Sequence, residues 1–357
     1  MTAHVRRRPA ALFALLLTLG LPLLTAAAQD DYRYIIAQDG RYGFIDRNGT
    51  VVVEPSFVEV GEFSEGRAAV RIDDLWGYID GSGQIVVEPR FREAFPFSGG
   101  RARVRDEGRG WGFIDKDGAF VVAPEFEDAR DFTEGRAAVE RESRVLVVFK
   151  DLDWGFINEN GDYVVEPTYE AAQPFSDGLA AVRTSRVLFF IRHHTRWGYV
   201  NEMGEMVIEP QFETVHAFSD GLALVNDGEG YYFIDTTGER VFDAPYRQVG
   251  SFVSGLARVA EGGQWGFIDR QGALTIPLRF EHAFDFSEGL AAVRVEGKWG
   301  FIDETGRFVI QPELDYARSF ENGLAPARRG NVSGYIDRTG AFVYQRMAEV
   351  AGANEQN

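Results

Sequence analysis

The sequence predicts an all-β protein built as an array of nine short units, and three observations carry that expectation. One pentapeptide recurs nine times in phase. Glycine or proline punctuates the chain about every six to ten residues. The segments between are short and rich in Val, Ile, Phe and Tyr, which suits strands and not helices. The pentapeptide reads Tyr42-Gly43-Phe44-Ile45-Asp46, then Trp76-Gly77-Tyr78-Ile79-Asp80, and recurs from Trp111, Trp154, Trp197, Tyr231, Trp265, Trp299 and Ser333. Successive copies lie 34, 35, 43, 43, 34, 34, 34 and 34 residues apart. A fixed period of this size marks stacked supersecondary units, whose stability comes from contact between units. The recurring Trp76, Trp111, Trp154, Trp197, Trp265 and Trp299 are therefore read as structural residues.

The first element lies outside the array. Residues 1–28 place Arg6-Arg7-Arg8 before an apolar run from Ala10 to Leu24, and Ala26-Ala27-Ala28 before Gln29. That is the layout of a secretory signal peptide cleaved after Ala28, with an apolar run too short for a comfortable membrane span. A Sec-exported, periplasmic or secreted protein is expected. The array occupies 29–344, with hairpin insertions near 141–153 and 184–196, and a polar tail follows at 345–357. The chain has no cysteine, which removes disulfides, thiolate metal sites and lipoprotein anchoring together.

Within a unit the pattern gives three strands. The first carries Ala-x-Val, as at Ala68 to Val70, Ala137 to Val139 and Ala291 to Val293. The second is the pentapeptide, and the third is an apolar triplet such as Val51-Val52-Val53 or Phe308-Val309-Ile310. Between the second and third, Asp-x-x-Gly forms a tight hairpin: Asp46, Asp80, Asp115, Asp269 and Asp303 bond forward to the turn backbone. Gly49, Gly83, Gly118, Gly272 and Gly306 supply its positive φ. Pro55, Pro89, Pro124, Pro167 and Pro210 end the third strand, because proline cannot donate to a ladder. In the second strand Trp76 and Tyr78 share one face and Ile79 takes the other. Both faces are apolar, so each unit must be sandwiched between neighbours. The glycine beside each Trp is expected to leave room for an aromatic of the adjacent unit. Tyr231-Tyr232-Phe233 breaks the rule in unit six, where a local packing adjustment is expected.

These units resemble the WG-repeat family, which shares the Trp-Gly-aromatic-aliphatic-Asp strand and the Phe-Ser-Glu-Gly-Leu-Ala segment. The resemblance spans roughly residues 32 to 344. It implies a bacterial β-repeat protein and brings no catalytic residues to carry over. The array begins and ends in phase, and three strands are one short of an ordinary propeller blade. An open curved β-solenoid is thus the favoured architecture, with a β-propeller-like ring as the alternative.

Function is less legible than architecture. Loss of Arg6, Arg7 and Arg8 with the leader takes the net charge from −18 to −21, which argues against nucleic acid or an anionic membrane as a partner. The clearest departures from the repeat are the two insertions. Val70 precedes Trp76 by six residues, whereas Val139 precedes Trp154, and Val182 precedes Trp197, by fifteen. Both insertions repeat one text, Ser143 to Lys150 and Ser185 to Arg192. Exposed apolar ribbons are adhesive, so Val147, Val148, Phe149, Phe189, Phe190, Ile191, Arg186 and Arg192 are the candidate partner-binding residues. The occupant is a protein or a second copy of the chain; the bland alternative is that the ribbons pack on each other. The second arm also gathers Arg183, Arg196, His193 and His194. Arg67, Arg101 and Arg136 form a candidate basic stripe. A glycan-binding reading rests on the Trp series, although strand centres of this kind are more often core. The acidic turns and Glu54, Glu88, Glu166 and Glu209 lack calcium-loop spacing. No Ser elbow, metal-spaced cluster or phosphate-cradling loop is present, and an enzyme using scattered carboxylates stands last. A non-catalytic exported binding or scaffold protein, without cofactor or metal, is the expectation. Intact-mass analysis of the exported protein is expected to give an N-terminus at Gln29; retention of residues 1–28 would contradict the leader.

Overall fold

The computed structural model describes residues 32–146, 149–188 and 191–347. They form nine small antiparallel sheets in chain order. Eight sheets have four strands and the first has three. In the second blade the strands are a (Glu59–Val60), b (Arg67–Ile72), c (Leu75–Asp80) and d (Ile85–Phe91), hydrogen-bonded in that order. Strands b, c and d are the three expected from the repeat. Strand a was not expected, because in most blades it is only two residues long and carries no periodic signal. It is Asp128–Ala129 in blade four, Ala171–Ala172 in blade five and His282–Ala283 in blade eight. Blades three and seven lengthen it, to Glu93–Ser98 and Gln248–Val253. Among the described residues, the first blade holds b (Tyr34–Gln38), c (Arg41–Ile45) and d (Val51–Phe57).

The nine blades close into a ring, so the alternative architecture is the observed one and the open solenoid is not. Buried apolar side chains fall into nine clusters, one at each blade junction. An open array of nine units would have eight. The ninth cluster joins Tyr34, Ile36 and Ile45 of the first blade to Leu324, Tyr335 and Val343 of the last. Tyr34 donates its hydroxyl to the Asn322 carbonyl at 2.6 Å, and Tyr335 donates to Ile35 at 2.8 Å. The in-phase ends that suggested an open array are accommodated because closure is by side-to-side packing of blades, with no strand shared between the first and last sheets among the described residues.

Strand alternation explains why each blade needs two neighbours. Tyr78 packs on the third blade and Ile79 on the first, and both are fully buried. Ala69 and Ala68 divide in the same way. Every junction adds an aromatic pair. Phe44–Phe63, Tyr78–Phe97, Phe113–Phe132, Phe156–Phe175 and Tyr199–Phe218 have ring centroids 5.4, 5.1, 4.8, 4.9 and 4.8 Å apart. Phe233–Phe252, Phe267–Phe286 and Phe301–Phe320 continue at 4.9, 4.8 and 4.8 Å. Tyr34–Tyr335 completes the circle at 5.3 Å. Tilted and edge-to-face pairs of this kind contribute about 0.5–1.5 kcal/mol each beyond the area they bury.

The Asp-x-x-Gly hairpins form as expected. Asp46 Oδ1 accepts the N–H groups of Asn48 and Thr50 at 2.9 and 2.8 Å, and Gly49 has φ 82°. The glycine beside each Trp has a different role from the expected one. A Cβ at Gly77 would lie 2.4 Å from the Val87 carbonyl oxygen, and one at Gly198 2.4 Å from that of Ile208. The close neighbour is the backbone of strand d in the same blade, not an aromatic of the next. There the c–d ladder shifts register, from Trp76 facing Phe91 to Tyr78 facing Val87. In blade six Tyr232 replaces this glycine, and the adjustment follows: Tyr232 faces Asp243 and Phe233 faces Phe242 without a shift between them. Gly198→Ala is expected to cost about 1–3 kcal/mol in denaturant unfolding. Gly230→Ala, where an added Cβ meets nothing within 4 Å, should stay within about 0.5 kcal/mol. Equal effects would contradict the backbone-approach argument.

Candidate functional site

The short turn after strand a positions the ring's inner rim. Its sequence is Phe-Ser-acid-Gly, and it stitches each blade to the next. Ser64 donates Oγ–H to the Phe97 carbonyl at 2.6 Å, and Ser98, Ser176, Ser219 and Ser287 repeat the bond to Phe132, Phe218, Phe252 and Phe320. The acid then accepts the next turn's Gly N–H: Glu65 from Gly100, Glu134 from Gly178, Asp177 from Gly221, Asp220 from Gly255 and Glu288 from Gly323. These acids sit at positive φ, 51° at Glu65, which a two-residue hairpin turn demands. These five carboxylates are thus engaged by backbone donors of the next blade.

The candidate basic stripe is absorbed in the same way. Arg67, Arg101 and Arg136 each donate to the carbonyl of the preceding glycine at 3.0–3.1 Å. Sequence reasoning missed a second arginine position one turn further on. Arg103 lies between the Phe95 and Trp111 rings at 3.7 and 4.8 Å, with Asp131 of the next blade at 3.0 Å. Arg258 has the same relation to Trp265 and Asp285. The signal was present as an arginine between the Ala and Val of the first strand. Both arginines fall in the two blades with a long inner strand.

The six tryptophans pack on the junction clusters. Trp111 and Trp154 are buried, and Trp76, Trp197, Trp265 and Trp299 are half-buried. His282 sits between Trp265 and Trp299, 5.5 Å from each ring centre. Burial, then Arg258 and Arg294, hold its imidazole below the usual histidine range. The folded state therefore favours neutral His282, so its contribution is complete above the unfolded pKa and is lost as pH falls through the depressed one.

The insertions extend the b–c hairpins of blades four and five. In blade four the pairing runs from Arg136 opposite Asn158 to Leu146 opposite Phe149. In blade five it runs from Leu179 opposite Asn201 to Leu188 opposite Ile191. The blade-four inner strand pairs only at Glu140 and Val139, and strand d reaches only to Trp154. Beyond those points each hairpin is a two-stranded ribbon without a third strand of its own blade. Val147, Val148, Phe189 and Phe190 lie outside the described residues. Phe149, Arg186, Ile191 and Arg192 are placed by backbone on the ribbon strands. Arg183 and Arg196, at the base of the second ribbon, approach Glu170 and Glu213 at 3.5 and 2.8 Å.

Inner-rim residues of several blades converge on two adjoining cavities. One, about 510 Å³, is lined by Tyr32, Glu62, Phe284, Arg318, Glu321 and Tyr335 among others. The second, about 650 Å³, shares Tyr32, Glu62 and Glu321 and adds Pro96 and Lys116. Among the described residues no group of three or more His, Asp or Glu has metal-holding geometry.

Nine antiparallel blades closed into a ring define a β-propeller. The family model for the WG containing repeat matches eight times, over 42–76, 76–109, 111–143, 154–185, 197–231, 233–265, 265–299 and 299–332. The chain belongs to the WG-repeat family. Solved structures similar to it include BamB from Moraxella catarrhalis, at 11% identity over 86% of this chain and 88% of that one, TM-score 0.38. Apo AztD from Citrobacter koseri matches at 14% identity over 89% and 95%, TM-score 0.40. The β-propeller domain of the Trilobed protease from Pyrococcus furiosus matches at 10% identity over 79% and 99%, TM-score 0.39. No curated protein matches in sequence.

Thermal melts should show a larger loss of stability from pH 7 to pH 5 in the native chain than in a His282→Phe variant. Identical losses would contradict the role assigned to the half-buried imidazole.

Proposed function

We propose that this chain is an exported, non-catalytic binding protein whose ring is a rigid mount for two ribbons that dock on a protein partner. The observation that supports this best is the pairing of blades four and five, whose b–c hairpins alone run to Leu146–Phe149 and Leu188–Ile191. A two-stranded ribbon outside a sheet leaves N–H and C=O groups on both edges, which a partner strand can meet. The repeated ribbon text, Ser143 to Lys150 and Ser185 to Arg192, is apolar with two basic residues and no acid in each copy, on a chain of net charge −18, so it is the locally basic part of an acidic protein. Inner-rim acids bonded to glycine N–H groups and turn aspartates bonded to their own hairpins leave carboxylate catalysis little support. A glycan surface is supported less well, because each Trp contributes at least part of its ring to a junction cluster.

Deletion of 143–150 together with 185–192, each bridged by a short turn, is expected to leave the circular dichroism and melting of the ring unchanged. It should abolish capture of an envelope protein partner or dissociate a dimer. Retained capture and unchanged mass would overturn this reading.

A further inference from the structure

Blade six departs from the repeat at Tyr231-Tyr232, and the departure opens its outer edge. Elsewhere the c–d ladder pairs Trp76 with Phe91, Trp111 with Phe126, Trp197 with Phe212 and Trp265 with Phe280. Glycine after each Trp lets strand d press in at this point, as the contact of Gly198 with the Ile208 carbonyl shows. In blade six Tyr232 stands there, and strand d ends at Asp243 opposite it. Ala244 N–H still reaches the Tyr231 carbonyl at 3.0 Å, and the chain then bends at Tyr246 and Arg247. Arg240 faces Ile234 as Met206 faces Val200, which sets Tyr246 in line with Phe212. The two rings that form a ladder pair in blade five are thus parted in blade six, and Tyr231 is 44% exposed.

Strand b changes with it. Leu224 faces Phe233 as Arg103 faces Phe113, so it holds the place of the arginine that lies between Phe95 and Trp111 in blade three. His216 stands for Phe95, Tyr231 for Trp111, and Ser251 for Asp131, the acid that pairs with Arg103. Where blade three stacks its own guanidinium, blade six has a hollow of about 240 Å³. Its lining includes His216, Leu224, Tyr231, Tyr246, Arg247 and Gln248. Among the described residues, the side chains of His216, Tyr231, Tyr246, Arg247 and Gln248 have no hydrogen-bond or ion-pair partner in the protein. Glu261 approaches Arg247 through its backbone N–H, at 3.0 Å, and not through its guanidinium. The volume lies below the roughly 300–1,000 Å³ of drug-sized sites, which suits a single small ring. The guanidinium matches a carboxylate. Two phenols, an imidazole and an amide both donate and accept, and match several hydroxyls. A flat aromatic acid would use the cation and leave most of these groups unmet.

We propose that the hollow between blades six and seven binds one hexuronate unit, the carboxylate-bearing form of a six-carbon sugar. Its carboxylate meets the Arg247 guanidinium, and a C–H face of its ring lies on the electron-rich face of Tyr231. Gln248, His216 and the Tyr246 hydroxyl take its ring hydroxyls. The net charge of −18 repels a polyanion at long range, so affinity comes from these short contacts with a single unit. The site uses none of the six tryptophans. It is separate from the ribbons on blades four and five, and neither proposal depends on the other.

The test titrates the full chain with the methyl glycosides of galacturonic, glucuronic and mannuronic acid and of the three neutral hexoses, read by saturation-transfer NMR. At least one uronate is expected to saturate with a Kd of about 1 mM or tighter, and to bind about fivefold or more tightly than its neutral hexose. Arg247→Gln should bring that uronate and its neutral hexose to equal affinity, and Tyr231→Ala should weaken both about tenfold. Both side chains are exposed, and circular dichroism should show the ring unchanged in each variant. Absence of saturation by every uronate up to about 10 mM overturns the proposal. So does equal binding of uronate and neutral hexose, or a preference that survives Arg247→Gln. Displacement by benzoate as effective as by the uronate itself would mark a plain aromatic-acid slot and also overturn it. The comparison of ligands on the native chain keeps the test decisive if either variant fails to fold.

Discussion

The ring depends on the aromatic pair at each blade junction and on the turn that delivers half of it. Each pentapeptide contributes a buried Phe or Tyr, and each following Phe-Ser-acid-Gly turn contributes the phenylalanine that meets it. The turn then fixes the pair with a serine bond and a carboxylate-to-glycine bond to the next blade. Neither blade can bury its face alone, because strand alternation gives both faces apolar side chains. Nearest-neighbour contact is the source of stability in a repeat array, and closure supplies a ninth such contact where an open array would leave two raw apolar faces in water.

Closure also shapes the junction of the last blade with the first. The Tyr34–Tyr335 pair stands where the other junctions use a phenylalanine from an inner turn, and Tyr34 bonds Asn322 to hold the join. Side chains of the last blade, Tyr335 and Arg346, bond the Ile35 and Ala37 carbonyls of the first. Regular junctions use their carboxylates to hold turns together; at this one the Glu321 carboxylate meets the Tyr32 hydroxyl. The functional candidate thus lies where the repeat departs from itself, in the longer hairpins of blades four and five.

Much of the architecture was legible because the repeat writes it nine times. The Asp-x-x-Gly turn, the three longer strands, the two-faced burial of Tyr78 and Ile79 and the irregularity at Tyr232 all follow from residue chemistry and period. The inner strand was not legible, since two residues such as Ala171–Ala172 cannot display an alternation. The role of Gly77 was misread because the crowding comes from the Val87 carbonyl, and a backbone group leaves no trace in side-chain pattern. Open against closed was misjudged because the in-phase ends imply no shared strand, yet whole blades can close a ring by packing alone. At the sites, the ribbons were legible as insertions. The cavity wall was not: Glu62 and Glu321 look like any other surface acid until the ring brings blades two and nine together.

The most direct test of the closed ring is the distance between its two ends. The chain has no native cysteine, so spin labels can be placed at Asn48 and Ala341 without background. In the ring this pair repeats the relation of Ser82 to Thr50 on consecutive blades, because Ala341 closes the Asp337 turn as Thr50 closes the Asp46 turn. Pulsed electron paramagnetic resonance should give the same short, narrow distance for Asn48–Ala341 as for Ser82–Thr50. A long or broad distribution for the first pair beside a short one for the second would contradict closure and restore the open array.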